Sequence, residues 1–364
     1  MSMTTQLWLL SSIATTAWVA YLILRKDSLA QFDQPAGQLF KLNTKAAQAE
    51  SVKALKAINQ RLRGNAANST KMSMRERLPI MRESMDTFFA SGEVDCVSDF
   101  IAVDAGGVPA EWVTAPGVDA NNSRRLLYIH GGAFMAGSPK SHRVITSKLS
   151  EITDCTVLSI DYRLMPEHSR MAGVDDCRLA YDWLLSHGPK GEKDVSSLFV
   201  AGDSAGGNLT LSLLAWARDT GRRSADAAVA LSPVTDARFV SPSIKDNLDT
   251  DVMLKPLASR MAKIPRFMIS VAARLMSKHS TTDPVVSPLL GDLSGLPPIL
   301  VLASDHEILR DDGRRYVNKA KAAGTDATFL YWKNMPHVWP IFYPDLPEAH
   351  QAFEQIEGFV KTHS

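Results

Sequence analysis

The sequence predicts an α/β protein: a mostly parallel central sheet with helices on both faces and a helical cap. Three observations carry this expectation. From Leu126 to Thr362, short apolar runs alternate with segments whose apolar residues recur at helical spacing. One run, Leu198 to Ala201, leads directly into Gly202-Asp203-Ser204-Ala205-Gly206 and then into a helical pattern. A second, Leu126 to Ile129, leads directly into His130-Gly131-Gly132-Ala133-Phe134.

Taken in order, the chain opens on an uncharged run, Leu7 to Leu24, carrying Trp8, Trp18 and Tyr21 and closed by Arg25 and Lys26. At about 18 residues it is at the short end of what spans a bilayer, and its aromatic residues suit the interfacial belts. We read residues 1–26 as a membrane anchor. A cleaved signal peptide is opposed by the lack of a basic residue before the run and of a small-x-small site after it. An amphipathic cap helix is the remaining alternative. As an anchor, the run would leave Arg25, Lys26 and the following domain on the cytoplasmic side.

Residues 27–91 are polar and helix-prone, with helical periodicity over Ala46–Leu62 and Met81–Phe89. They are expected to form a helical segment over the site. Residues 92–364 make the main domain. A hairpin comes first, Cys96–Val103 and Val108–Val113 around Ala105-Gly106-Gly107. Strand Leu126–Ile129 then leads to helix Ser141–Ile152, strand Thr156–Ile160 to helix Met171–Leu185, and strand Leu198–Ala201 to helix Gly207–Ala217. Strand Ala227–Leu231 follows. Later come strand Pro298–Ala303, helix Arg310–Ala323, strand Thr328–Trp332 and helix Glu348–Thr362. Between about 236 and 287 the alternation breaks into a Met-rich helical stretch, Met253 to Met276 especially. This insertion is expected to lie over the carboxyl ends of the strands, where α/β sheets bind ligands.

A chain of 364 residues can bury a large core. Its 40 lysines and arginines nearly balance 39 acids, which excludes the basic footprint of a nucleic-acid partner. The three cysteines, Cys96, Cys155 and Cys177, have neither metal-ligand spacing nor a disulfide framework. Oligomeric state is not legible.

The glycines around Ser204 leave room for a sharp strand-to-helix turn that lifts a hydroxyl clear of the sheet. Such a hydroxyl needs a base to take its proton and an acid to orient the base. His337 follows the last predicted strand and comes after Ser204, so it is the candidate base. Acid candidates cluster after strand Pro298–Ala303. Asp311 and Asp312 fall in the first turn of the next helix, where acids offset the helix dipole. Glu307 and Asp305 remain. The backbone N–H groups of Gly131, Gly132 and Ala205 are the candidate oxyanion donors. The polar run Asp161-Tyr162-Arg163-Leu164-Met165-Pro166-Glu167-His168 is read as bracing those loops.

In these motifs the chain resembles the hormone-sensitive-lipase branch (family IV) of the α/β-hydrolases, with its bacterial carboxylesterases and arylacetamide-deacetylase-like enzymes. The elbow of that family, Gly-Asp-Ser-Ala-Gly-Gly, matches Gly202 to Gly207. Its oxyanion motif, His-Gly-Gly-Gly or His-Gly-Gly-Ala, matches His130 to Ala133. Its Tyr-Arg-Leu-Ala-Pro-Glu-His matches Tyr162 to His168 apart from Met165. The family acid stands in Asp-x-Leu-Arg-Asp, which aligns with Glu307 to Asp311, so the resemblance implies a triad of Ser204, Glu307 and His337 with glutamate in place of aspartate. It also implies an α/β-hydrolase fold and hydrolysis of small to medium acyl esters through an acyl-enzyme, with no cofactor and no metal. Lactones or N-acetyl amides would use the same machinery. A non-catalytic small-molecule receptor is the alternative outside catalysis.

Overall fold

The computed structural model describes residues 29–67, 74–90, 97–261, 264, 268, 271, 274, 275 and 278–364. Leu7–Leu24 and Cys96 lie outside the described residues, as does much of the Met-rich stretch. Among the described residues, no helix is long and apolar enough to cross a membrane.

The strands are β1 (Gln38–Phe40), β2 (Asp99–Asp104), β3 (Pro109–Thr114), β4 (Arg124–Ile129), β5 (Thr156–Ile160), the two-residue β6 (His187–Gly188) and β7 (Gly191–Glu192), β8 (Ser197–Asp203), β9 (Ala227–Leu231), β10 (Ile299–Ser304) and β11 (Ala327–Trp332). The helices are α1 (Lys45–Ala67), α2 (Met74–Ala90), α3 (Arg143–Thr153), α4 (Arg170–Leu184), α5 (Ser204–Asp219), α6 (Ser243–Asp246), α7 (Lys255–Met261), α8 (Arg310–Ala322) and α9 (Pro347–Thr362).

Nine strands form one sheet in the order β1-β11-β10-β9-β8-β4-β5-β3-β2. Only β3 runs against the others, pairing antiparallel with both β5 and β2. Alternate residues of a strand face opposite sides, and each side here is covered. Leu127 and Ile129 of β4 and Val200 of β8 pack with Val174 and Tyr181 of α4, Leu209 and Leu213 of α5, and Tyr316 of α8. Their neighbours Leu126, Tyr128 and Phe199 pack on the opposite face with Ile145 and Leu149 of α3 and Phe353 and Ile356 of α9. Helix α1 lies against α9, where Ser51 Oγ donates to Glu348 Oε1 at 2.7 Å.

The strand order reverses between β4 and β8. After β4 the chain steps outward to β5, then returns through α4 to lay β8 on the other side of β4. Ligands of open α/β sheets sit beyond the carboxyl ends of the strands at such a reversal. The two motifs read from the sequence are the segments leaving the carboxyl ends of β4 and β8.

The predicted main-domain elements are present with ends shifted by a few residues, and α5 begins at Ser204 rather than Gly207. Strand β1 went unread because it is three residues long and largely exposed, and it forms only by pairing with β11. The β6–β7 hairpin is shorter still.

Candidate active site

Ser204 sits where β8 turns sharply into α5, with φ of 52°. A non-glycine residue in the left-handed region is strained and persists only where its surroundings fix it. The fixing is close packing. A Cβ at Gly206 would lie 1.9 Å from the Ile129 carbonyl oxygen, so only glycine lets the first turn of α5 press against β4.

His337 occupies the loop after β11, and its Nε2 lies 2.9 Å from Ser204 Oγ. Its Nδ1 lies 2.8 Å from Glu307 Oε2. Both His337 and Glu307 are buried. The second Glu307 oxygen accepts the Ser304 N–H at 2.7 Å. Burial alone would pull the His337 pKa down, but the Glu307 carboxylate outweighs it and holds the imidazole above its ordinary value. Asp305 is turned elsewhere: its Oδ1 accepts the Asn334 N–H at 2.6 Å. Thus Ser204, His337 and Glu307 form one hydrogen-bonded chain, and Asp305 shapes the neighbouring loop.

The loops bearing Glu307 and His337 are stitched together by Ser304. Its buried hydroxyl donates to the Met335 carbonyl at 2.7 Å and accepts N–H groups from Met335 and His306 at 3.1 Å. The root of the insertion grips the acid loop from above. Asn247 Nδ2 donates to the carbonyls of Asp305 and Glu307 at 2.7 and 2.8 Å. Asp251 Oδ2 accepts the Ile308 N–H at 2.9 Å. Sequence reasoning missed Ser304, Asn247 and Asp251, since a lone polar residue in a loop carries no signal of its partner.

The oxyanion expectation needs a correction at Gly131. Its N–H donates to Asp203 Oδ1 at 2.9 Å, so it is already engaged inside the protein. That carboxylate is buried, accepts the Tyr128 hydroxyl at 2.7 Å and lies 3.3 Å from His142 Nε2. Burial would raise the Asp203 pKa, but His142 holds it below the usual carboxylate value. Next in the turn come Gly132, Ala133 and Phe134, with φ of 112°, 56° and 62°. The N–H groups of Gly132 and Ala133 take no protein acceptor among the described residues. Ala205 is the second residue of α5, so its N–H precedes the first intrahelical bond. Gly132, Ala133 and Ala205 are therefore the N–H groups open to a ligand oxygen, and Ala133 is the one the sequence reading left out.

The polar run after β5 braces this turn. Tyr162 Oη donates to the His130 carbonyl at 3.0 Å, and its ring stacks on His130 at 4.4 Å. The Met165 N–H bonds the Phe134 carbonyl at 2.9 Å. From α2, Arg82 donates to the Met135 and Met165 carbonyls and forks onto Glu167. Burial pushes His130 down to about 3, which keeps it neutral.

A family model described as alpha/beta hydrolase fold matches residues 126–341. A crystal structure of an esterase from the bacterial hormone-sensitive lipase family superimposes with a TM-score of 0.73 at 35% identity, covering 85% of this chain and 98% of that one. The chain belongs to the hormone-sensitive-lipase branch of the α/β-hydrolases. An acetyl-hydrolase of Streptomyces hygroscopicus is 36% identical over 261 residues, 71% of this hydrolase and 82% of its own length. A carboxylesterase/phospholipase, LipF, of Mycobacterium tuberculosis is 35% identical over 254 residues, 69% of this chain and 66% of its own. Among the described residues of this hydrolase, no group of His, Cys, Asp and Glu is arranged to hold a metal ion.

Proposed function

We propose that this protein is a serine carboxylesterase acting on small to medium acyl esters. The observation that carries the reading is the continuous hydrogen-bonded chain from Ser204 Oγ through His337 to Glu307, beside the open N–H groups of Gly132, Ala133 and Ala205. Esterase and acetyl-hydrolase names among the relatives support the ester as substrate class.

In this reading the neutral imidazole of His337 takes the Ser204 proton as Oγ attacks the ester carbonyl. The resulting imidazolium is stabilised by Glu307, which also fixes the tautomer that points Nε2 at the serine. Negative charge develops on the former carbonyl oxygen, where the backbone N–H groups receive it. One good donor of this kind contributes roughly 3–4 kcal/mol to the transition state. His337 then protonates the leaving alkoxide, and the acyl-enzyme remains. Water, deprotonated by His337, attacks that ester in turn and releases the acid.

Residues 27–91 and the insertion at about 236–287 serve as the cover of the site in this reading, with the main domain over 92–364. Leu7–Leu24 anchors the protein to a membrane and leaves that domain in the cytoplasm.

The test is a chain-length series of p-nitrophenyl esters with wild type and Ser204→Ala. Turnover should be highest on short acyl chains and vanish in the variant, together with labelling by an organophosphonate. Labelling that persists in Ser204→Ala would mean another nucleophile.

A further inference from the structure

The first residue of α4, Arg170, is 5% exposed yet faces no carboxylate among the described residues. Its electrostatic neighbours are Tyr162 and Cys177, and burial draws its pKa down to about 10. A buried cation without an anion is costly, and an apolar side chain of similar volume would fill the same space more cheaply. Stability is therefore a poor account of a guanidinium here.

What Arg170 touches suggests another account. Its guanidinium carbon lies 3.6 Å from the centroid of the Phe134 ring, close enough for strong cation–π stacking. Its terminal nitrogen donates to Asn208 Oδ1 at 2.5 Å. Asn208 stands one helical turn after Ser204 on α5, and its Nδ2 donates to the carbonyls of Val234 and Val286 at 2.8 and 3.0 Å. Those two residues stand at the two ends of the insertion. Phe134 closes the oxyanion turn, and it is one of two successive non-glycine residues there with left-handed φ. Such residues relax toward ordinary backbone unless their surroundings over-determine them. The Phe134 carbonyl is held by Met165 N–H; its side chain is gripped by Arg170.

We propose that Arg170 is a positioning residue for the oxyanion turn: stacked on Phe134 and bound to Asn208, it ties that turn to helix α5 and so keeps the Gly132 and Ala133 N–H groups in register with Ser204. The proposal rests on the reading of Ser204 as nucleophile and of these N–H groups as oxyanion donors. Arg170 acts through Phe134, on whose ring its guanidinium stacks.

The experiment compares full-length wild type with R170M, F134L and the double variant. Each is assayed for kcat and KM on p-nitrophenyl acetate, for inhibition by a trifluoromethyl ketone whose hemiketal oxygen occupies the oxyanion position, and for Tm. R170M should lose roughly 10–100-fold in kcat, the scale set by a small misplacement of catalytic groups, with KM within about twofold. Ketone affinity should fall by the same factor as kcat. F134L should reproduce the pattern, and the double variant should be little worse than either, because the two side chains act as one unit. Should R170M fail to fold, F134L and its ketone affinity carry the test alone. Wild-type kcat in F134L or in folded R170M would overturn the proposal. So would a rise in KM at constant kcat, which would make Arg170 a substrate contact, or losses that add in the double variant. Activity surviving in Ser204→Ala would instead remove the underlying reading, a result distinguishable from an unchanged R170M in an enzyme that Ser204→Ala inactivates.

Discussion

Two carboxylates two residues apart, Glu307 and Asp305, have different surroundings and so different expected roles. Glu307 spans from the Ser304 N–H to His337 Nδ1 with its two oxygens. The extra methylene of glutamate supplies that reach. Asp305 spends its Oδ1 on Asn334. E307Q should favour the wrong imidazole tautomer and lose about 10⁴-fold in kcat, by analogy with an amide substitution in a serine-protease triad. D305N should stay within about tenfold of wild type, since an amide oxygen can still accept the Asn334 N–H. The reverse ranking would make Asp305 the working acid. The pH profile follows with a definite sign. In the proposed mechanism activity needs neutral His337, and Glu307 holds its pKa above 6.5. Wild-type kcat/KM should therefore fall as pH drops through a value above that, while the residual activity of E307Q should persist to lower pH.

At the scale of elements, the β8–α5 elbow works because α5 begins in contact with β4. The Cβ of Gly206→Ala would meet the Ile129 carbonyl oxygen at 1.9 Å, and that oxygen belongs to a central strand that cannot yield. The helix must move instead, carrying Ser204 from His337. Overpacking of this kind costs about 1–3 kcal/mol, so G206A should melt a few degrees lower and lose at least roughly 100-fold in kcat. Calorimetry beside a kcat measurement checks both, and unchanged values for the two would mean that the elbow can open without displacing Ser204. The glycine pair of this elbow was legible from the sequence because glycine at fixed offsets marks a strained turn. The direction of the Gly131 N–H was not legible. It depends on Asp203, a residue 72 positions away whose carboxylate is held in place by Tyr128 and His142.

For the molecule as a whole, the sheet determines what is dispensable. The motifs assigned to chemistry lie beyond residue 126, on loops leaving the carboxyl ends of β4, β8, β10 and β11. If residues 1–26 are the anchor proposed above, full-length protein should pellet with membranes and need detergent, and deleting those residues should leave it in the supernatant at comparable kcat. Full-length protein found in the supernatant after lysis without detergent would remove the anchor reading and leave the cap helix in its place.

The sequence by itself determined the order of the main strands and helices over 126–362, apart from the short β6–β7 hairpin, because apolar period and glycine punctuation are local signals and each buried strand here is a short apolar run. It also determined that Ser204 and His337 belong to one site, since each follows a strand that a parallel sheet must bring to the same edge. Three things waited for the tertiary structure. That Glu307 rather than Asp305 contacts His337 turned on which oxygen reaches Nδ1 when β10 and β11 are paired in register. The exchange of Gly131 for Ala133 among the open N–H groups turned on the dihedral path of a four-residue turn. The grip of Arg170, Asn247 and Asp251 on the site turned on contacts between elements far apart in the chain. Such contacts leave no trace in periodicity, because a polar side chain names the chemistry of its partner and nothing of its position.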